Sequence, residues 1–592
     1  MTVSNPEWSA RTFGNEESLP RVPLPTLEDS CRRFLEWCTP LLTAEELART
    51  ETAVADFLAP ESPAHELQAT LEAYDRSEGV LSWLDTFWPY RYLGRRDRIA
   101  LNANFFFLFQ RSVLGQVERA AELIASAVDY KLKLDNELVA PVILRGRPQS
   151  MRQHKFLFSA TRIPGQALDT ARTPYSEDWP GPSQARHIIV FFRDTPFRMD
   201  VLAPDGRPYD PEQLADGLRS IMKTGKVVGD PTAAVGHFTT KARADWASNR
   251  QALLAAGNAE ALDTIETALF CLCLEDFAPA DTQEACDKLL HGDSGNRWFD
   301  KAVSFIVFGD GTAGINVEHC ELDGTTILAF TDAVLSEERT SREAPEGLPA
   351  FEPVEFVLDN ALREDARAAG ESFAAYADAT ATKTVSFDFG ANRAKQLGMS
   401  PDGFAQMAYQ LAHKRAKGLN GATYESIATR QYRNGRTEAM RVLTPEVLAF
   451  VAAMEDPNAS TEARRTAFRA AAAKHVSRAK ECQAGDAPEQ HLWELQLIQK
   501  RRGIEETPAL YSSPGWLIMR NDYLSTSSAP SHNIQYFGFG STSPQCIGVA
   551  YVLLPDRWNI YLSTPRQVAD EMFRFADELT RAVEELQDLL AE

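Results

Sequence analysis

Ser304-Phe305-Ile306-Val307-Phe308-Gly309-Asp310-Gly311-Thr312-Ala313-Gly314-Ile315-Asn316-Val317-Glu318-His319 is the stretch on which the reading of this chain turns. Two apolar runs flank an Asp-Gly pair, the pattern of a β-hairpin. His319 then sits at the end of the second strand, which aims it, and Asp323 follows four residues later, just ahead of Gly324. Imidazole titrates near neutral pH. A carboxylate beside it can fix its tautomer and steady its charged form, so the pair suits general-base work on a hydroxyl or thiol. The alternative is a plain turn carboxylate after a strand, because His-x-x-x-Asp-Gly is short enough to arise by chance.

Around this hairpin, strand and helix alternate. Residues 187–192 and 198–202 read as strands, and 211–223 and 242–256 as helices. Toward the N-terminus, residues 1–18 read as a flexible tail. Helical spacing runs through 26–58, then 82–88 and 113–130. Residues 337–353 mix charge, Pro and Gly and read as a surface connector. Ser400-Pro401-Asp402 opens a helix with Ser as N-cap, Pro in the first turn and Asp facing the dipole. Further on, 463–479 reads as helix, 536–539 and 547–554 as strands, and 569–590 as an amphipathic helix. The order is α/β throughout.

With 592 residues, 44% of them hydrophobic, the chain can bury a large core split into two domains. Its 61 Lys+Arg against 83 Asp+Glu give a net charge of -22, a field that repels nucleic acid and anionic membrane. The 8 cysteines are scattered, and Cys271-x-Cys273 has no second pair at zinc spacing. Buried thiols, no metal and a reducing compartment are the expectation. No secretory signal pattern and no bilayer-length apolar run is present, so a cytoplasmic protein without a membrane span is expected.

Three lookalikes carry less. Gly538-Phe539-Gly540 lacks a third glycine and a following helix, so it reads as strand packing rather than a dinucleotide loop. Asp388-Phe389-Gly390 has no other kinase element before it. Cys320 adjoins His319, but neighbours on an extended chain point apart, which favours a wall position over a nucleophile.

Several stretches, taken in order, resemble the choline/carnitine O-acyltransferase family. These are Leu19-Pro20-Arg21-Val22-Pro23-Leu24-Pro25, Trp83-Leu84-Asp85-Thr86-Phe87-Trp88 with Tyr92-Leu93, and Thr161-Arg162-Ile163-Pro164-Gly165. Asn296-Arg297-Trp298-Phe299-Asp300-Lys301 leads into the hairpin, and Ser400-Pro401-Asp402, Thr423-Tyr424-Glu425-Ser426, Gly435-Arg436-Thr437 and Leu524-Ser525-Thr526-Ser527 follow. The resemblance covers nearly the whole chain. It implies two related chloramphenicol-acetyltransferase-like α/β domains with mixed sheets and a tunnel between them. The implied boundaries are 19–93 with 361–592 for the acceptor and coenzyme A side, and 94–360 for the catalytic histidine.

The implied reaction is acyl transfer between a thioester and a small alcohol, with no permanently bound cofactor. His319 would be the base, Asp323 its orienting partner and Ser527 the oxyanion donor. Lys395 would meet the coenzyme A phosphate, although Ala391 stands where the family has a second lysine. Asp402, Glu425 and Ser426 would line the pantetheine arm. Tyr424, Thr437 and Ser525 fall at acceptor positions, Phe539 where an ammonium could stack, and Phe537 where the family limits acyl length. Gln490 precedes His491-Leu492 where carnitine enzymes carry Arg. The acceptor is therefore carnitine-like, choline-like or a neutral polyol. An acyl carrier protein is the alternative donor, with an amine as acceptor. A non-catalytic acyl-thioester binder is the remaining possibility.

Overall fold

A computed structural model describes residues 8–228 and 230–591. In chain order, β1 is Phe105–Phe109, β2 His187–Phe192, β3 Thr195–Asp200, β4 Cys271–Leu274, β5 Val303–Val307, β6 Ala313–Val317 and β7 Phe351–Pro353. After these come β8 Thr380–Phe387, β9 Thr423–Ala428, β10 Thr437–Arg441, β11 Leu524–Ser528, β12 Ile534–Phe539, β13 Ile547–Leu553 and β14 Trp558–Pro565. One sheet has the order β7-β3-β2-β4-β5-β6-β1-β12, the other β8-β14-β13-β11-β9-β10. Both mix parallel and antiparallel pairs. The fold is mixed α/β with two sheets, as the sequence pattern implies.

The chain divides into two units. The first takes Pro89–Thr382, Ser531–Gly540 and the N-terminal segment ending at Ser18; the second takes Leu19–Trp88, Lys383–Pro530 and the chain from Ser541 onward. These limits differ from the expected 94–360 block. The helix Asn360–Asp378 belongs to the first unit, where Phe373 meets Phe299 at 5.8 Å and the Tyr376 hydroxyl donates to Asn102 at 2.7 Å. Helical periodicity cannot say which sheet a helix covers. The strand β12 likewise leaves the sequence of the second unit to pair with β1.

Two local expectations are corrected. The described part of the N-terminal segment is packed rather than loose: Thr12 Oγ1 donates to the Val139 carbonyl at 2.6 Å, and Glu16 accepts from the Met151 N–H at 2.5 Å. Met1–Glu7 lie outside the described residues. Residues 83–86 form turns, and the helical part is only Phe87–Trp88, running into a π-helical turn at Pro89–Leu93. Pro89 has no N–H to continue an α-helix and its ring crowds the preceding turn. The connector keeps its character except at its end, where β7 pairs with β3 at the sheet edge.

In the first unit, His319 is carried by three adjacent antiparallel strands, β6, β1 and β12. Val317 lies opposite Phe105, and Phe105 opposite Phe539; Ile315 lies opposite Phe107, and Phe107 opposite Phe537. Since strand side chains alternate, His319 continues the face of Ile315 and Val317, and that face carries the four phenylalanines. Gly540 ends β12 tightly, for a Cβ there would stand 2.1 Å from the Leu101 carbonyl oxygen. Glu318 takes the other face.

There Arg162 Nη1 lies 3.4 Å from Glu318, and Arg162 Nε donates to Asp169 at 2.7 Å. Arg243 donates to Asp169 at 2.7 Å and to Asp300 at 2.8 Å, and Trp246 donates to Asp300 at 2.6 Å. All six side chains are buried. Burial opposes the charge on Asp169, but Arg243 and Arg162 outweigh it and hold its carboxyl below the usual range. Buried charges persist only when paired.

In the second unit, the helix Pro401–Lys417 packs on Ala569–Ala591. Ser400 caps its start by accepting from the Gly403 N–H at 3.2 Å, and Gly418, at φ 75°, ends it. Replacing Asp169 with Ala removes the carboxylate shared by two buried guanidinium groups, leaving Arg162 to Glu318 and Arg243 to Asp300. The expected loss of unfolding free energy is roughly 3–5 kcal/mol, measured by urea unfolding. A loss no larger than that of an exposed pair, about 1 kcal/mol or less, would contradict this account of the network.

Candidate active site

His319 Nδ1 stands 3.5 Å from Asp323 Oδ1, and the imidazole is 30% exposed while the carboxylate is buried. The Tyr92 ring stacks on the imidazole at 5.1 Å with 27° between planes, and Phe105 meets it edge-on at 5.2 Å. Phe537 touches both Phe105 and Phe107, at 6.0 and 5.6 Å, and lies 5.6 Å from Phe539. The ring is thus clamped flat, with its Nδ1 side toward a carboxylate. An apolar wall of this kind also lowers the local dielectric, which strengthens the His–Asp attraction.

Asp323 is the N-cap residue of the helix Gly324–Ser336, yet its side chain makes no capping hydrogen bond. Gln153 holds it instead. The Gln153 Nε2 donates to Asp323 Oδ2 at 2.7 Å, and Gln153 Oε1 accepts from the Asp323 N–H at 2.9 Å and from Thr326 Oγ1 at 2.6 Å. The Tyr92 hydroxyl reaches Asp323 Oδ1 at 3.5 Å. Cys320 is buried, and burial, helped by Glu318, pushes its thiol well up, so it is not a ready nucleophile.

The remaining predicted residues lie in the second unit. Tyr424 pairs with Ser525 and with Arg441, Ser426 with Ala439, and Ala428 with Thr437. By strand alternation Tyr424, Ser426, Thr437, Ser525 and Ser527 share one face of this sheet, the less buried one. Arg441 lies 5.4 Å from the Tyr424 ring and is itself bound by Glu489 and Asp522. Gln490 donates to the Thr437 carbonyl at 2.9 Å and to Glu438 at 3.2 Å. Burial, with help from the Glu489 charge, pushes the Glu438 carboxyl up to about 8. Lys395 is exposed on a short helix, Ala391–Gln396, and the nearby Arg393 donates to Gln587 at 2.9 Å.

On the opposite face, Glu425 lies 3.0 Å from His475 Nε2, and Asp402 lies 3.6 Å from the same atom. Tyr551 donates its hydroxyl to Asp402. Glu425 and Ser426, adjacent in sequence, therefore point to different sides of β9, while Asp402 joins Glu425.

The sequence profile described as Choline/Carnitine o-acyltransferase matches residues 22–581. The chain belongs to the choline/carnitine O-acyltransferase family. It is an acyltransferase, and the family moves acyl groups to hydroxyls. Among its relatives, the mitochondrial carnitine O-palmitoyltransferase 2 of Mus musculus is 31% identical over 92% of this chain and 88% of its own. The carnitine O-acetyltransferase of Columba livia is 30% identical over 97% and 94%. Among solved structures, a trichothecene 15-O-acetyltransferase from Fusarium sporotrichioides covers 82% of this chain and 92% of its own, with a TM-score of 0.37 and 10% identity. No helix of the described residues is long and apolar enough to cross a membrane.

For this acyltransferase, sequence reading misses Gln153, which stands 170 residues before Asp323 with no local pattern to mark it. It also misses His475, which looks like an ordinary residue of the Ala-rich helix Thr461–Gln483. The ligand-type atoms of Asp402, Glu425 and His475 lie within 4.8 Å of one another. Here the imidazolium itself supplies the positive charge. Burial opposes that charge, but Glu425 and Asp402 outweigh it and raise His475 from 6.5 to about 10. Burial and the Asp402 charge push Glu425 from 4.5 up to about 7.

Between 6.5 and about 10 the folded His475 keeps a proton that the unfolded chain has released. Its stabilisation is whole below 6.5 and is lost as pH rises through about 10. Glu425 acts in the same direction between 4.5 and about 7. Unfolding free energy should therefore fall from neutral to alkaline pH, and His475→Gln should flatten that fall in urea titrations. Parallel declines in the two proteins would show that this cluster does not hold the proton.

Proposed function

We propose that the protein transfers an acyl group from an acyl thioester, with coenzyme A as donor, to the hydroxyl of a small alcohol that carries no carboxylate. The observation behind this is the His319–Asp323 pair, held against a ring-lined wall with the imidazole partly open. His319 takes the hydroxyl proton as the alcohol oxygen bonds to the thioester carbonyl carbon. Asp323 steadies the imidazolium, and Ser527 donates to the oxyanion. Collapse breaks the C–S bond, and the leaving thiolate takes the proton from His319. Asp402, Glu425, Ser426 and Lys395 serve the coenzyme A arm, and Phe537 favours short acyl groups.

The choice of acceptor rests on Gln490. Its amide is bound to Thr437 and to the buried Glu438, while Arg441, 5.4 Å from the Tyr424 ring, is already committed to Glu489 and Asp522. A carboxylate docking beside Tyr424 and Thr437 would lack a charge-assisted partner worth roughly 1.5–3 kcal/mol. A neutral hydroxylated acceptor loses nothing there. Carnitine is the second reading, favoured by the names of the relatives at about 30% identity.

Thiol release from acetyl-CoA is to be measured with carnitine, choline and neutral polyols supplied separately. Release dependent on a polyol supports the proposal, and release with carnitine alone moves the acceptor to the second reading. Thiol release only from an acylated carrier protein would overturn coenzyme A as donor. His319→Ala should lower the acceptor-dependent turnover by roughly 10²–10⁴-fold, and a near-normal rate would remove His319 as the base. Gln490→Arg should lower the carnitine KM by roughly tenfold or more if that side chain faces the acceptor. An unchanged KM would count against that placement.

A further inference from the structure

Asp323 has two competing uses. As the N-cap of the helix Gly324–Ser336, with φ -110° and ψ 162°, it has the extended backbone from which a side chain normally accepts from the second or third N–H of the helix. As the partner of an imidazole, it must turn an oxygen the other way. A free carboxylate could swing between the two, and its average position would serve neither. The third hydrogen-bonding group that settles this comes from far away in sequence: Gln153, on the short turn Arg152–Phe156, only 6% exposed.

Every polar atom of the Gln153 amide meets this one corner of the fold. Its Nε2 takes Asp323 Oδ2 at 2.7 Å, and its Oε1 takes the Asp323 N–H at 2.9 Å and Thr326 Oγ1 at 2.6 Å. Donor and acceptor on one planar group bind the side chain and the backbone of the same residue, so the carboxylate plane is fixed relative to its own main chain. With Oδ2 occupied in this way, Oδ1 is left toward His319 Nδ1 and the Tyr92 hydroxyl, each at 3.5 Å. The Thr326 N–H, which a capping side chain would have served, bonds to the Asp323 carbonyl at 3.1 Å. The helix therefore loses little by giving up its side-chain cap.

We propose that Gln153 is a positioning residue for acyl transfer: it withdraws Asp323 from helix capping and locks the carboxylate in the rotamer that orients His319. The proposal rests on His319 acting as the base. An amide is required chemically, because the group must donate to a carboxylate and accept from an N–H at once. A carboxylic acid can do the same only while it is protonated. Ionised, it would set two negative charges within hydrogen-bond distance, which raises the pKa of the pair and pushes the groups apart as the proton leaves.

That difference supplies the test, done on the whole chain with the acceptor found by the thiol-release assay. Gln153→Met keeps the volume and removes both hydrogen-bonding functions. Its kcat should fall roughly 10- to 100-fold at every pH, as expected for a misplaced catalytic group, with the KM for both substrates within about twofold. Gln153→Glu should behave differently. The ratio of its kcat to that of the unaltered protein should approach one at the acid end of the profile and decline as pH rises, because the shared proton that rebuilds the clamp is lost.

A ratio independent of pH in Gln153→Glu, or a raised KM with kcat kept, would overturn the positioning role and leave Gln153 a packing residue. Should Gln153→Met fail to fold, the Gln153→Glu profile alone decides. His319→Ala is run alongside. A normal rate in that variant refutes the base itself, a result distinct from any outcome at residue 153.

Discussion

The carboxylate of Asp169 is the point on which the unit that carries His319 depends. One oxygen accepts from Arg96 and the other from Arg162 and Arg243, while the Asp169 N–H donates to the Leu93 carbonyl at 3.2 Å. Through Arg96 and Leu93 it fixes the turn that carries Tyr92, the ring stacked on His319. Through Arg162 it reaches Glu318, the residue next to His319. Two sides of the imidazole are thus set by one buried anion. Its charge is tolerable only because three guanidinium groups surround it, two of them, Arg162 and Arg243, themselves buried. Electrostatics here specifies geometry more than it adds net stability.

The same logic of one group held by several explains what could be read from sequence. The hairpin, the position of His319 and the Asp four residues on are local features: alternation, an Asp-Gly turn and a helix start are all written within about twenty residues. So is the opening of the helix at Ser400, where cap, proline and acidic residue agree. By contrast, nothing in Ile534–Phe539 marks it as the neighbour of a strand more than 400 residues earlier. The aromatic wall formed by Phe105, Phe107, Phe537 and Phe539 exists only through that pairing. Likewise, the sequence does not say which sheet the helix Asn360–Asp378 covers.

Polar partners buried far from each other in sequence are the hardest to foresee. His475 sits in a helix whose composition suggests nothing but helix propensity, and only the approach of β9, with Glu425, and of the helix Pro401–Lys417, with Asp402, gives it two carboxylates. Gln153 is similar: an amide on a short turn becomes informative once Asp323 is seen to leave its capping role empty. In both cases the local rule that fails, an ordinary exposed histidine or an ordinary N-cap, fails where function is expected to override local preference.

The acceptor question follows from the same principle, that a buried polar group must be matched by its ligand. The face bearing Tyr424, Thr437 and Ser525 is lined by hydroxyls, and its edge is closed by a neutral amide over a buried carboxyl. A hydroxylated, uncharged molecule can exchange water for these groups one hydrogen bond at a time. Under the proposed function, a carboxylate on that face would find Arg441 already shared between Glu489 and Asp522. Rejection would then come from the missing partner charge. Leaving an anion without a partner costs more than leaving a hydroxyl without one, so under the proposed function the side chain at position 490 weighs on which alcohols are accepted.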